Sequence, residues 1–342
     1  MKTRIIIILF VLSFITIPAF GQIALEWGLL PQADGDDLLV PFDKSNVTAN
    51  DFKISIGLPL IYSTTENNNA QDPSFVLLGN VFYGNKHLEV NNWPYYTLDS
   101  EQNYTLNLTN TYDHLVSFGG SIIAIKKLSE KWSLLGIGGF TYAGINPDKY
   151  RTEDMGLAGG FSGIRKWNKK WSFGLGLLYS RLTGADAVLP MIIIERETEK
   201  STLAVTLPSE FKYWYHQNKK ISFGLTAQLE GDMYDYTGLK VNQYDESGNL
   251  ESTDNKVGLA YSSLTLGPAI KLSSSFGVAL VIRAGIAMTR RYQYWLPKEK
   301  EMLRYGANPD YEMLTGHDYS GEEIDFPMKK TGFIKVTVGI GL

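Results

Sequence analysis

The feature that most constrains this chain is an alternation of apolar with polar or small side chains, which recurs along most of its length. In residues 221–233 the odd positions carry Ile, Phe, Leu, Ala, Leu, Gly and Met, and the even positions carry Ser, Gly, Thr, Gln, Glu and Asp. Residues 171–180, 276–288 and 334–342 alternate in the same way. Because successive side chains of a β-strand point to opposite faces of a sheet, each segment is predicted to form a strand with one apolar face. The sequence therefore predicts an all-β protein.

The predicted strands are joined alternately by short and by long connections. The short, polar turns cover residues 128–131, 168–170, 217–220 and 273–275. The long connections cover residues 84–111, 145–154, 183–201, 235–256 and 291–330. This alternation places tight turns at one end of the sheet and large loops at the other. Such an arrangement is typical of a transmembrane antiparallel up-and-down β-barrel with short periplasmic turns and long extracellular loops.

We predict about twelve strands, an even number that places both ends of the barrel on the periplasmic side. They are expected near residues 23–30, 52–63, 74–83, 112–126, 132–144, 155–166, 171–182, 202–215, 221–234, 257–272, 276–290 and 331–342.

The same alternation also fits a soluble β-sandwich or a lipocalin-like barrel. The membrane barrel is favoured because the apolar faces are long enough for a tilted spanning strand of about 9–11 residues. The opposite faces are rich in Gly, Ser, Thr and Ala, which suit a barrel lumen better than a solvated surface. Aromatic residues also cluster near both strand ends, as expected of belts at the two membrane interfaces. The predicted belts comprise Trp132, Trp167, Trp171, Trp214 and Tyr215 beside the short turns, and Tyr142, Tyr179, Tyr234 and Tyr292 near the long loops.

The N-terminus has the features of a secretory signal peptide. Lys2 and Arg4 precede an apolar run over residues 5–17, and the small residues Ala19 and Gly21 fit cleavage before Gln22. Residues 1–21 are therefore predicted to be a cleaved signal peptide, and residues 22–342 to form the barrel. The apolar run is shorter than the roughly 20 residues of a spanning helix.

Composition excludes several classes of function. The chain has 342 residues, a formal net charge of −4 and no cysteine. The absence of cysteine excludes disulfide scaffolds, thiolate metal sites and cysteine nucleophiles. The net negative charge argues against a nucleic-acid partner. No acidic run has the spacing of a calcium loop, and no phosphate-binding loop or zinc-protease motif is present. We therefore predict neither a metal nor a cofactor.

With hairpins such as Lys170-Trp171-Ser172-Phe173-Gly174-Leu175-Gly176, the chain resembles the outer-membrane β-barrel proteins of Gram-negative bacteria. It is most similar to small single-chain barrel families of unknown function, and the resemblance covers residues 22–342. It implies location in the cell outer membrane, contact with outer-membrane lipids and lipopolysaccharide, and recognition by the barrel-assembly machinery. The chain departs from the usual pattern because it ends in Leu342 rather than in an aromatic residue.

If the apolar faces meet lipid, the opposite faces line the lumen. The lumen is then predicted to contain charged groups of both signs, because charges at this depth are tolerated only when they are solvated or paired. The candidate lumen-lining residues are Lys53, Glu210, Lys212, Gln228, Glu230, Asp232, Arg283 and Lys335. The long connections are acidic by contrast, the first carrying Asp34, Asp36, Asp37, Asp43 and Asp51.

These features leave three classes of function open. The leading hypothesis is a passive pore for small polar solutes, in which mixed charges orient the solute. The alternative is a non-conducting barrel that has a structural role or binds a partner through its Tyr-rich loops. A hydrolase is the third class, and we expect the protein not to be an enzyme. The available imidazole bases are His87, His114, His216 and His317, and the candidate acid–base cluster is His317-Asp318 with Asp36 and Asp37 of another loop.

Overall fold

The structure is a computed structural model that describes residues 22–34, 46–63, 74–98, 104–144, 155–180, 187–236, 241–244, 250–254, 257–296, 301–302 and 325–340. The predicted signal peptide, residues 1–21, lies outside this range. Within the described residues no helix has the length and apolarity needed to cross a membrane.

The alternating segments form β-strands, as their period predicts. In chain order the strands are β1 (Gln22–Asp34), β2 (Asn46–Ser63), β3 (Phe75–Leu98), β4 (Tyr104–Lys127), β5 (Trp132–Gly144), β6 (Met155–Lys166), β7 (Trp171–Ser180), β8 (Ala187–Glu197), β9 (Ser201–Leu207), β10 (Glu210–His216), β11 (Ile221–Tyr236), β12 (Val241–Tyr244), β13 (Leu250–Asp254), β14 (Val257–Ser273), β15 (Val278–Leu296), β16 (Glu301–Met302), β17 (Asp325–Pro327) and β18 (Thr331–Ile340).

Fourteen of these strands form one closed antiparallel barrel. Strands β1 to β11 pair with their neighbours in sequence, and β11 continues to β14, β15 and β18. Strand β18 then pairs with β1, with Ile340 opposite Ile23, so the first and last strands close the wall side by side. The short β16 and β17 pair with β15, and β12 and β13 form a separate hairpin. The predicted all-β antiparallel barrel is confirmed.

The predicted number of about twelve strands is wrong, and the two additional strands lie in residues 183–215. Strand β8 occupies residues that were predicted to be a long loop. The sequence did not indicate this strand because its alternation is concealed by Pro190 and by the apolar run from Met191 to Ile194. The predicted single strand 202–215 is the hairpin of β9 and β10. Its turn is so short that apolar residues occupy odd positions on both sides of it, as they would in one continuous strand.

Contacts between strands that are not neighbours identify the face that points into the lumen. The ammonium group of Lys335 on β18 bonds to Glu230 on β11, although β14 and β15 lie between these strands in the wall. Such a contact can form only across the interior. The intervening positions of the same strands point to the opposite face, and they carry large apolar side chains that are exposed, including Leu225 on β11 and Val338 on β18. The apolar face therefore points outward, away from the lumen.

The wall is uneven at the end that carries the long connections, which we call the loop end. Strands β9 and β10 have only seven residues each, whereas β11 has sixteen. The end of β11 pairs in parallel with β5, with Asp235 opposite Gly144. Because β5 and β11 are far apart in the order of the barrel, this contact crosses the lumen and narrows its mouth at the loop end.

Candidate functional site

Five charged side chains from five strands meet inside the barrel. They come from β1, β2, β11, β15 and β18, and we call them the lumenal charge cluster: Glu26, Asp51, Glu230, Arg283 and Lys335. Each lies at an inward-facing position of its strand, and at least one of its two sequence neighbours is an apolar residue that faces outward. The alternation that builds the wall therefore also brings the charges together.

Lys335 lies at the centre of the cluster. Its ammonium group bonds to Glu230 and lies 3.5 Å from the carboxylate of Asp51 and 3.7 Å from that of Glu26. The residue is 2% exposed, so little water remains to solvate its charge. The desolvation of a buried ammonium is offset only by close and well-oriented partners. Lys335 therefore couples three parts of the wall, on β1, β2 and β11.

Arg283 forms the second positive centre of the cluster. One of its terminal nitrogens donates to the carboxylate of Glu26 at 2.5 Å, and the other donates to the amide oxygen of Gln228 at 2.7 Å. The same Glu26 carboxylate accepts a hydrogen bond from the hydroxyl of Thr337 at 3.0 Å. The guanidinium thus connects β15 to β1 on one side and to β11 on the other. Charge-assisted bonds of this kind are among the strongest in proteins.

An apolar layer covers the charge cluster on the side of the loop end. Its inward side chains come from β1 to β4 and are almost completely buried: Leu30, Val47, Ala49, Leu88 and Leu115. Lys86 on β3 reaches from the same wall to Tyr261 on β14, with its ammonium 3.8 Å from the centre of the Tyr261 ring. Four strands, β2, β1, β18 and β15, lie between β3 and β14 along the wall, so this contact also spans the lumen. Side-chain contacts therefore join opposite parts of the wall across the described part of the lumen at two successive levels.

Three other predicted lumen residues, Lys53, Glu210 and Lys212, lie on the inner face but outside the cluster. Lys53 is exposed, and its ammonium lies 4.4 Å from the centre of the Phe82 ring. Glu210 and Lys212 form an ion pair with each other at 2.6 Å, and both are partly exposed. They face the lumen on β10, opposite Gln228 and Thr226 of β11. The lumen is therefore polar and accessible to water in this region. The side chain of Asp232 lies outside the described residues.

Two members of the cluster were not among the predicted lumen residues. Glu26 lies in the weakly alternating first strand, between Leu25 and Trp27. Asp51 was assigned to the acidic first loop, but β2 begins at Asn46 and places Asp51 inside the barrel wall. The alternation of Asp51, Lys53 and Ser55 with Phe52, Ile54 and Ile56 is the signal that identifies it. Within the described part of the chain, one carboxylate oxygen of Asp51 and the Nε of Arg283 have no hydrogen-bond partner.

The predicted aromatic belt is only partly on the outer surface. Trp132, Trp167, Tyr179 and Tyr215 are exposed there, and Trp171 stacks on Phe173 with a centroid distance of 5.7 Å. The side chains of Tyr234 and Tyr292 lie outside the described residues.

Trp214 and Tyr142 do not join that outer group. Trp214 shares the inner face with its strand partner Gly224, where a Cβ atom would come within 2.6 Å of the Trp214 ring. The missing side chain at Gly224 thus makes room for the ring inside the barrel. Tyr142 is 3% exposed and lies against Phe118, beside the end of β5 that pairs with β11.

Comparisons with solved structures find other proteins of similar length at low sequence identity. The toluene transporter TodX of P. putida is 8% identical, with 96% of this chain and 92% of that chain covered and a TM-score of 0.40. The translocator domain of the autotransporter NalP from Neisseria meningitidis is 8% identical, with 99% and 95% covered and a TM-score of 0.35. The transport unit of the autotransporter AIDA-I from Escherichia coli is 8% identical, with 95% and 90% covered and a TM-score of 0.36.

No curated protein sequence matches the chain. A family model described as a domain of unknown function, DUF6268, matches residues 87–316, which is more than half of the chain. The chain therefore belongs to the DUF6268 family.

Proposed function

We propose that this protein is an integral β-barrel of the outer membrane whose lumen is closed by its own side chains. The observation that carries the proposal is the exposure of large apolar side chains on the outward face. Leu175 is 72% exposed, Phe161 63% and Val81 57%. A soluble monomer rarely exposes contiguous apolar patches larger than a few hundred Å². An outward apolar surface that continues from strand to strand fits a hydrocarbon environment.

The proposal includes export and location. The predicted signal peptide, residues 1–21, would direct the chain out of the cytoplasm, and residues 22–342 would insert into the outer membrane. The closed barrel leaves no unpaired sheet edge around most of the wall, as the absence of water in the hydrocarbon core requires. The proposed role uses no catalytic residue.

The state of the lumen favours a barrel that does not conduct. The lumenal charge cluster and the contact between Lys86 and Tyr261 join opposite parts of the wall at two levels. Buried and paired charges at these levels replace the water that a permeant ion would need. We therefore place the function of the protein on its outer surface and loops rather than in permeation.

A passive pore for small polar solutes is the second candidate. The exposure of Lys53 and the partial exposure of the Glu210–Lys212 pair favour it, because they line a part of the lumen that water reaches. In that case the charge cluster would act as a gate rather than as a permanent closure.

Electrical recording distinguishes the two candidates. We expect the refolded wild-type barrel, inserted in a planar bilayer, to show no stable conductance steps above those of the protein-free bilayer. The triple variant Lys86→Ala, Tyr261→Ala and Lys335→Met removes the Lys86–Tyr261 and Lys335–Glu230 contacts across the lumen and is expected to conduct intermittently. A conservative control, Lys86→Arg, retains a cation beside the Tyr261 ring and is expected to stay closed. Stable wild-type steps of the size seen with open porins would overturn the closed barrel and support the pore.

A further inference from the structure

A groove lined by tryptophan and arginine lies on the outer surface of β5 to β7, beside the short turns. Its volume is about 720 Å³, and its lining includes Trp132, Arg165, Trp167, Trp171 and Phe173. The strand pairing builds it directly. Trp132 lies opposite Arg165, and Arg165 lies opposite Phe173, so these side chains form one row across three strands.

Arg165 lies between two aromatic rings. Its guanidinium carbon is 5.6 Å from the centre of the Trp132 ring and 5.2 Å from that of Trp167. Both distances lie within the range of cation–π attraction. The two rings attract the guanidinium group of Arg165. The face of an aromatic ring is not a conventional hydrogen-bond acceptor, so these contacts leave the N–H groups without such a bond.

Arg196 adds a second guanidinium on the neighbouring strand. It lies opposite Trp171, with its guanidinium carbon 5.4 Å from the centre of that ring. The Nε of Arg196 is buried and has no hydrogen-bond partner among the residues that the structure describes. Among the residues that the structure describes, neither Arg165 nor Arg196 forms an ion pair with a carboxylate.

Two guanidinium groups that have no carboxylate partner among the described residues, on an otherwise apolar surface, are suited to bind an anion. Arginine matches phosphate through paired N–H donors, and it loses less hydration than lysine does when it binds. The tryptophan rings suit the glycerol and upper acyl region of a lipid, because amphipathic rings favour the headgroup level of a bilayer. The groove therefore combines the two chemistries that a membrane phosphodiester presents.

We propose that this groove binds one glycerophospholipid through its phosphate, with Arg165 and Arg196 as the phosphate ligands. The inference rests on the proposed insertion in the outer membrane, because it places the short turns at the periplasmic leaflet. The rings of Trp132, Trp167 and Trp171 then contact the glycerol backbone and the first acyl carbons. The bound lipid would occupy a fixed position on β5 to β8 rather than exchange freely.

Native mass spectrometry of the full mature barrel in detergent tests this inference. The probes are phosphatidylglycerol and a diacylglycerol with the same acyl chains, which lacks the phosphate. We expect the wild-type protein to retain one molecule of phosphatidylglycerol and no diacylglycerol. The double variant Arg165→Gln with Arg196→Gln is expected to lose affinity for phosphatidylglycerol by about tenfold or more, because both charge-assisted bonds to the phosphate are lost.

A matched control removes two positive charges elsewhere at the same end. Lys126 on the outer face of β4 and Lys219 in a short turn lie outside the groove. The double variant Lys126→Gln with Lys219→Gln is expected to change affinity by less than about twofold, because long-range attraction between exposed charges is weak.

Equal losses in the two double variants would overturn the site and leave only general attraction to anionic lipid. Retention of diacylglycerol, or of lipopolysaccharide in place of phosphatidylglycerol, would also overturn it. Insertion is followed separately by flotation with vesicles, so a failure of the membrane proposal is distinguishable from a failure of the site.

Discussion

Replacing Lys335 with methionine is expected to lower the free energy of unfolding of the barrel by about 3–5 kcal/mol, the usual cost of removing one partner from a buried ion pair. The variant leaves the carboxylates of Glu26, Asp51 and Glu230 in the lumen, and among the described residues only Glu26 then keeps an ion pair, with Arg283. Lys335 is 2% exposed, so water cannot take over its role without opening the cluster. Urea titration of the protein in lipid vesicles, followed by tryptophan fluorescence, measures the effect.

Two further variants distinguish the effect of breaking the buried ion pair from the effect of removing any lysine charge. Lys53→Met removes the same charge from the inner face of β2, where Lys53 is exposed, and is expected to cost less than about 1 kcal/mol. Adding Glu230→Gln to Lys335→Met removes one of the stranded carboxylates and is expected to restore part of the lost stability. If Lys335→Met and Lys53→Met have the same small effect, the charge cluster does not stabilise the barrel.

The second large effect is expected at Leu175 on the outer face of β7. Substitution by arginine places a charge near the middle of the wall, where Leu175 is 72% exposed. If this face meets hydrocarbon, the cost is about 2–4 kcal/mol. The readouts are the fraction of protein that folds into vesicles and the urea midpoint of the folded fraction.

Leu128 provides the matched control for that substitution. It is 58% exposed and lies in the short turn between β4 and β5. Leu128→Arg is expected to have almost no effect, because that turn is proposed to lie in water. A soluble protein would tolerate arginine equally at both positions, so equal effects would contradict the membrane barrel.

The alternation of side chains was sufficient to predict the closed antiparallel barrel, because a period of two specifies strands and their two faces. It was not sufficient to count them. The hairpin of β9 and β10 keeps its apolar residues at odd positions through the turn, so residues 202–215 resemble one strand. Strand β8 lacks clean alternation because Ile193 is buried on the inner face while Ile192 and Ile194 point outward.

The site was predictable in composition but not in geometry. The alternation along each strand predicted that Glu230, Arg283 and Lys335 face the lumen. It could not predict their contacts, because these join residues on strands that are not neighbours in the wall. Trp214 shows the same limit. Its position near a short turn suggested the outer belt, whereas its pairing with Gly224 places the ring inside.

The direction of the apolar face is tested most directly by site-directed spin labelling, since the chain has no cysteine of its own. A nitroxide at Leu225→Cys reports the outer face of β11, and one at Asn218→Cys reports a short turn. In vesicles, we expect oxygen to relax the label at position 225 strongly and a water-soluble nickel complex to leave it unaffected, with the opposite result at position 218. If the nickel complex reaches both labels equally, in a protein that stays monomeric in water without detergent, the apolar face does not meet lipid.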